Sequence, residues 1–187
     1  MLEKFKLSLA IGLLFLVASY ATAQKQDSLN QFPASWTGTW SGHLQIYSPT
    51  GPRPGVDMSL EIFQIDSSTQ GRYTFGIIYG DKSKDWRPYE LVPVAPEKGL
   101  WRVDERNSIV MESYLTGPKL LCWFVVSGNR ILCTYEKTDE RTMVFEVMSG
   151  KEKPVSQTGN SVHEGEDIPE VQTFPFSAFQ RAVLTRQ

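Results

Sequence analysis

The chain has 187 residues, 41% of them hydrophobic and 12% aromatic, enough for one domain with a sizeable core and too apolar for wholesale disorder. Lys and Arg number 19 against 21 Asp and Glu, and a net charge of −2 gives no electrostatic reason to expect nucleic acid or an anionic membrane as partner. Two cysteines exclude a dense disulfide scaffold or a four-cysteine zinc site, and two histidines leave little for histidine-based catalysis.

Lys4 and Lys6 precede an apolar run over 7–20, and Ala21-Thr22-Ala23 then fits the small-x-small cleavage pattern. The run is shorter than the ~20 residues of a spanning helix. Residues 1–23 are therefore expected to be a signal peptide, with the product exported to the periplasm or the exterior and no membrane anchor left after cleavage. Gln24 is not the cysteine that a lipid anchor would need. Residues 24–187 keep 17 basic and 20 acidic residues, a net charge of −3. Residues 24–35 are polar and expected to be flexible.

From 36 to 149 the apolar period is two. Val56-Asp57-Met58-Ser59-Leu60-Glu61-Ile62 alternates strictly, and Tyr73, Phe75, Ile77 and Tyr79 share one face of the next run. Turn residues punctuate the runs and predict strands over 39–47, 56–66, 71–80, 86–95, 99–104, 107–115, 119–127, 130–137 and 140–148. Short connections make sequence neighbours pair antiparallel. The expected fold is all-β, an antiparallel up-and-down β-barrel of eight or nine strands over 36–149, because closure removes exposed edges. A two-sheet β-sandwich is the alternative. Residues 150–167 read as a linker. Residues 168–187 read as an extended stretch and a short helix capped by Ser177, with Phe179, Ala182, Val183 and Arg186 on the face that packs on the barrel.

The stretch Trp36-Thr37-Gly38-Thr39-Trp40-Ser41-Gly42 leads into the first strand. Its Gly38-Thr39-Trp40 resembles the Gly-x-Trp opening of lipocalin-like (calycin) barrels. The resemblance implies that Gly38 bends the chain into the first strand, with Gly42 in the same motif, and that Trp40 plugs the closed end. It also implies a late arginine stacked on that tryptophan, for which Arg130 and Arg141 are the candidates. Thr138-Asp139-Glu140 is a partial echo of the family's Thr-Asp-aromatic motif. The Trp-x-Gly-x-Trp-x-Gly spacing is also similar to the start of nitrobindin-like haem barrels, whose haem ligand is a C-terminal histidine. Here the late histidine is His163, in the linker, and no cofactor is expected.

Cys122 and Cys133 flank the turn at 127–130. A Ser127-Gly128 loop sets them directly opposite each other; a Gly128-Asn129 loop makes them diagonal neighbours. Both registers put them on one face, either as a disulfide, which an oxidising compartment permits, or as two buried thiols. Ten intervening residues and no paired histidines argue against a metal site.

No Gly-x-Ser-x-Gly, P-loop or Gly-x-Gly-x-x-Gly pattern is present. His43 alternates with Trp40 and Leu44 and is expected to face solvent. Glu112 and Glu146 are either lumen carboxylates or solvated strand residues. The chain is expected to be non-catalytic. Its aromatics are the better lead: Tyr79, Trp86, Arg87, Tyr89, Trp101, Tyr114 and Trp123 would suit a small hydrophobic or planar ligand, with Arg87 or Arg102 for a ligand carboxylate. The same rings would equally fill a packed barrel that meets a protein partner. Ligand binding is the first reading and the packed interaction module the second.

Overall fold

The computed structural model describes residues 31–66 and 71–187; the expected signal peptide over 1–23, and residues 24–30 of the expected flexible segment, lie outside them. Residues 31–36 belong to a first unit, in which Ala34–Trp36 is a 3₁₀ turn and the rings of Phe32 and Trp36 meet edge to face at 4.7 Å. The second unit, Thr37–Gln187, is all-β.

Nine strands follow the alternation read from the sequence: β1 Gly38–Ser48, β2 Gly51–Ile62, β3 Tyr73–Tyr79, β4 Trp86–Ala95, β5 Leu100–Asp104, β6 Val110–Thr116, β7 Lys119–Val126, β8 Asn129–Lys137 and β9 Thr142–Lys151. Short strands β10 Ser156–Thr158, β11 Ser161–His163, β12 Glu166–Ile168 and β13 Val171–Thr173 precede β14 Phe176–Arg186. Ten of these close one antiparallel barrel in the order β1-β14-β9-β8-β7-β6-β5-β4-β3-β2. The meander is thus a barrel rather than a sandwich, with one strand more than the upper expectation.

That extra strand is a correction. The segment 177–187, expected as a helix, is the seam strand β14, hydrogen-bonded to β1 on one side and β9 on the other. Ala182 and Leu184 are buried, Gln180 faces the interior, and Arg181, Val183 and Thr185 face out. The period is two. Ala182 and Arg186 lie on one face under either period, so the helical spacing of four residues was not decisive. A meander ending at β9 would leave two ladders unpaired, and pairing both edges outweighs the propensity of an isolated eleven-residue segment. Gly42 belongs to this seam: a Cβ there would meet the Val183 carbonyl oxygen at 2.3 Å. Gly38 has φ 140°, a backbone that other residues rarely adopt, as the chain turns into β1.

Residues 150–167 are not a plain linker. The β10–β13 and β11–β12 pairs make an exposed two-stranded ribbon between β9 and β14. Val155 and Val162 point to solvent, and Phe174 lies under the Arg130 guanidinium at 4.3 Å.

The interior has two ends. Trp40, Leu60, Ile62, Phe75, Leu91, Leu120, Met143 and Leu184 are all buried, packed around the start of β1 and the end of β14. Each such side chain contributes roughly 1.5–3 kcal/mol by leaving water. The Arg186 guanidinium lies 4.6 Å over the Trp40 ring. The late arginine is therefore Arg186, on the seam strand, and neither Arg130 nor Arg141. Arg141 instead accepts the Arg186 backbone N–H at 2.9 Å through its carbonyl. Within Thr138-Asp139-Glu140, Asp139 accepts the Arg141 N–H, and Glu140 accepts from Lys137, whose side chain is fully buried at the closed end. At the other end, the β1–β2, β3–β4, β5–β6 and β7–β8 turns and the ribbon surround an opening.

Candidate functional site

Below that opening lies a cavity of about 470 Å³. Its floor is aromatic and apolar: Leu44, Ile77, Tyr135 and Phe145, with the Tyr135 ring 4.9 Å from Phe75 and 5.0 Å from Phe145. Its walls are Ile46, Val56, Val103, Met111, Phe124, Ile131 and Val147. Polar groups gather near the rim, where Asp85, Arg87, Glu105 and Gln180 join Tyr79 and Tyr89. An apolar body with a few convergent polar tips is the arrangement of a small-molecule pocket. This end of the barrel is not filled by side chains.

Arg87 and Tyr79 organise the rim. The Arg87 guanidinium lies 4.8 Å over the Tyr79 ring, and its Nε donates to Asp85 at 3.3 Å. Burial works against the Arg87 charge, but Tyr79, Tyr89 and Asp85 outweigh it and raise its pKa. Burial pushes the Tyr79 phenol up to about 12, against the pull of Arg87. Tyr89 also moves up, through burial and then the neighbouring Glu105 carboxylate. The rim thus sets the Arg87 guanidinium, beside Asp85 and Glu105, with two phenols that burial keeps protonated at ordinary pH. Deeper down, burial raises the thiols of Cys122 and Cys133, the latter to about 12, while the Ser113 hydroxyl draws Cys122 part of the way back.

The residues singled out from sequence divide by strand parity. Tyr79, Arg87 and Tyr89 line the cavity. Trp101 is buried below it and is not in its wall. Trp86, Tyr114 and Trp123 are 49%, 52% and 68% exposed, on the outer wall. Trp86 lies beneath Lys82 at 5.1 Å, and Trp123 borders a shallow outer groove with Leu132, Met148 and Phe176. On β4, Trp86 cannot share a face with Arg87 and Tyr89, so three adjacent aromatic and basic residues never form one cluster. Arg102 pairs with Glu112 at 3.5 Å on the outside, and Glu146 pairs with Arg181 at 3.2 Å, so neither glutamate is a lumen carboxylate. His43 faces solvent as expected and pairs with Asp57 at 2.8 Å. Cys122 and Cys133 are directly opposed free thiols that both line the cavity.

Sequence reading missed the rim carboxylates Asp85 and Glu105, which sit in turns where alternation carries no facing information. It also missed Gln180, hidden by the helical reading of β14. The aliphatic wall residues were legible as alternating apolar positions, with nothing to separate cavity wall from packed core.

No protein-family model and no curated protein matches the chain. Among solved structures, a protein of unknown function from the DUF3598 family of Nostoc punctiforme superimposes with a TM-score of 0.56 at 11% identity, over 82% of this chain and 48% of that one. The chain therefore spans about half the length of that protein. An S-type phycobiliprotein lyase from Guillardia theta superimposes with a TM-score of 0.53 at 8% identity, over 87% of this chain and 97% of the lyase. Identities this low establish the fold alone, and that fold fits the calycin-like architecture expected from Gly38-Thr39-Trp40. They also correct one expectation. A barrel of this architecture carries the name of a lyase, so the reading of this chain as non-catalytic does not stand.

Proposed function

We propose that this chain is an exported barrel that takes a small, mainly apolar ligand into its open-end cavity, with a ligand acid group turned to Arg87. The observation that carries the reading is the cavity itself: about 470 Å³, aromatic at the floor and polar only near the rim. Pockets for small molecules run from about 300 to 1,000 Å³ and are lined mostly by apolar side chains. Arg87 is the cation among the rim groups, and its planar guanidinium suits a carboxylate. Export rests on the apolar run over 7–20 and the Ala21-Thr22-Ala23 pattern. Solved barrels of this fold include a phycobiliprotein lyase, so whatever ligand enters has a fold around it that accommodates chemistry as well as binding.

The test is to express the full chain with its own leader in a secretory host and compare native and denaturing mass spectra. A species that starts at Gln24 and carries extra mass lost on unfolding is the expected result. Saturable binding of an apolar fluorescent probe is the second readout. Ile77→Trp and Val147→Trp fill the cavity and should each weaken that binding at least ~10-fold, or about 1.4 kcal/mol. Undiminished binding by both folded variants would overturn the site.

A further inference from the structure

The cavity wall holds a pair of groups with a chemistry of their own. Cys122 on β7 and Cys133 on β8 are paired residues on neighbouring strands, and both face the lumen. The register is set by the Ser127-Gly128 turn, whose residues have φ 50° and 72°, the two positive values of a type I′ hairpin. Residues opposed on antiparallel strands have Cα atoms about 4.5–5.5 Å apart. A two-residue turn makes Cys122 and Cys133 a hydrogen-bonded pair with Cα atoms about 5.5 Å apart, inside the about 4.4–6.8 Å that a disulfide spans. Val147, opposite Cys133 on the next strand, also lines the cavity, so the pair lies within the wall that a ligand would touch.

We propose that Cys122 and Cys133 form a redox couple in the cavity wall, closed to a cross-strand disulfide by a low-molecular-weight disulfide that enters through the mouth. One thiolate attacks a sulfur of the oxidant and expels one of its halves as a thiol. The other cysteine attacks the protein sulfur of the mixed disulfide and expels the second half. Two protein S–H bonds are lost and one S–S bond forms; the oxidant's S–S bond breaks and yields two thiols. The protein gives up two electrons and two protons. Closure ties two wall side chains together and removes two thiol donors, so the oxidised and reduced cavities bind differently. This last step rests on the ligand-binding reading. Burial keeps both thiols protonated at neutral pH, so the reaction is slow there and quickens as pH rises.

The experiment treats the folded full chain with oxidised glutathione at neutral and mildly alkaline pH, quenches with acid, and measures intact mass and free thiols after denaturation. The expected product has no free thiol and has lost two hydrogens, whereas Cys122→Ser and Cys133→Ser each end as a single glutathione adduct. A wild-type chain that keeps two thiols, stops as an adduct or links to a second chain overturns the couple. Apolar-probe affinity is then compared between the two redox states. A change of about threefold or more, absent in Cys122→Ser, is expected. Equal affinities with the bond formed overturn the link to the ligand. Loss of probe binding in both states overturns the ligand reading alone and leaves the mass result to decide the couple.

Discussion

Trp40 and Arg186 stand at opposite ends of the barrel sequence and face to face at its closed end. The ring is fully buried and the guanidinium caps it at 4.6 Å, so the tryptophan supplies the apolar plug and the arginine seals it with a cation–π contact. Trp40→Ala should cost about 3–5 kcal/mol of stability, the range for large aromatic truncations. Arg186→Gln should cost less, about 1–2 kcal/mol, because the plug remains and only its cap is lost. Urea unfolding of both variants checks the order. Tyr79 makes a pH prediction at the same scale. Its folded pKa is raised to about 12 against an ordinary value of 10.0. Between those values the unfolded chain has released the proton and the folded chain has kept it, so stability is fully present below about 10 and falls as pH rises toward about 12. The buried Cys133 thiol acts in the same sense, from 9.0 to about 12. A tenfold difference in proton affinity between the folded and unfolded chains is worth about 1.4 kcal/mol. Tyr79→Phe should therefore lose about 2 kcal/mol less than the parent chain between mildly alkaline pH and pH ~12. Equal losses in the two proteins would show that Tyr79 does not titrate late.

β14 closes the ring, and the fit against β1 depends on Gly42. A methyl group at that position would sit 2.3 Å from the Val183 carbonyl oxygen, on backbone that two ladders hold in place. Gly42→Ala should cost about 1–3 kcal/mol and speed hydrogen exchange at the β1–β14 seam more than elsewhere. The ribbon is the opposite case. Its four strands pair only with one another, so replacing 151–175 by Asn-Gly should leave a plain β9–β14 hairpin and a folded barrel, with a melting point within a few degrees of the parent. These two elements mark the limit of what was legible in the sequence. Strands β1 to β9 could be read because one face of each is buried and the other wet, and that alternation is local. β14 could not, because its eleven residues satisfy a helical and an extended spacing alike, and only the vacant edges of β1 and β9 decide between them. The candidate site shows the same limit. Tyr79, Arg87 and Tyr89 were found, but the outward facing of Tyr114 and Trp123 depends on register, which pairing partners and not residue types determine.

At the scale of the whole molecule the barrel is a cup, packed solid at one end and hollow at the other. A ligand that binds the folded cup alone stabilises it by mass action, about 2.7 kcal/mol at a hundredfold excess over Kd. Thermal unfolding with rising probe concentration should show this shift in the parent chain and not in Ile77→Trp. The seam has a further consequence. The Gln187 N–H donates to the Thr39 carbonyl at 2.9 Å, so the strand that begins the barrel and the strand that ends it meet at the closed base. Joining them by a short linker and opening the chain at Glu164-Gly165, the tip of the ribbon, would give a circular permutant with the same ring of ten strands. It should fold and keep the probe affinity of the parent. The base is also where a surface tether belongs: a barrel immobilised through Gln187 would turn its mouth to the solution.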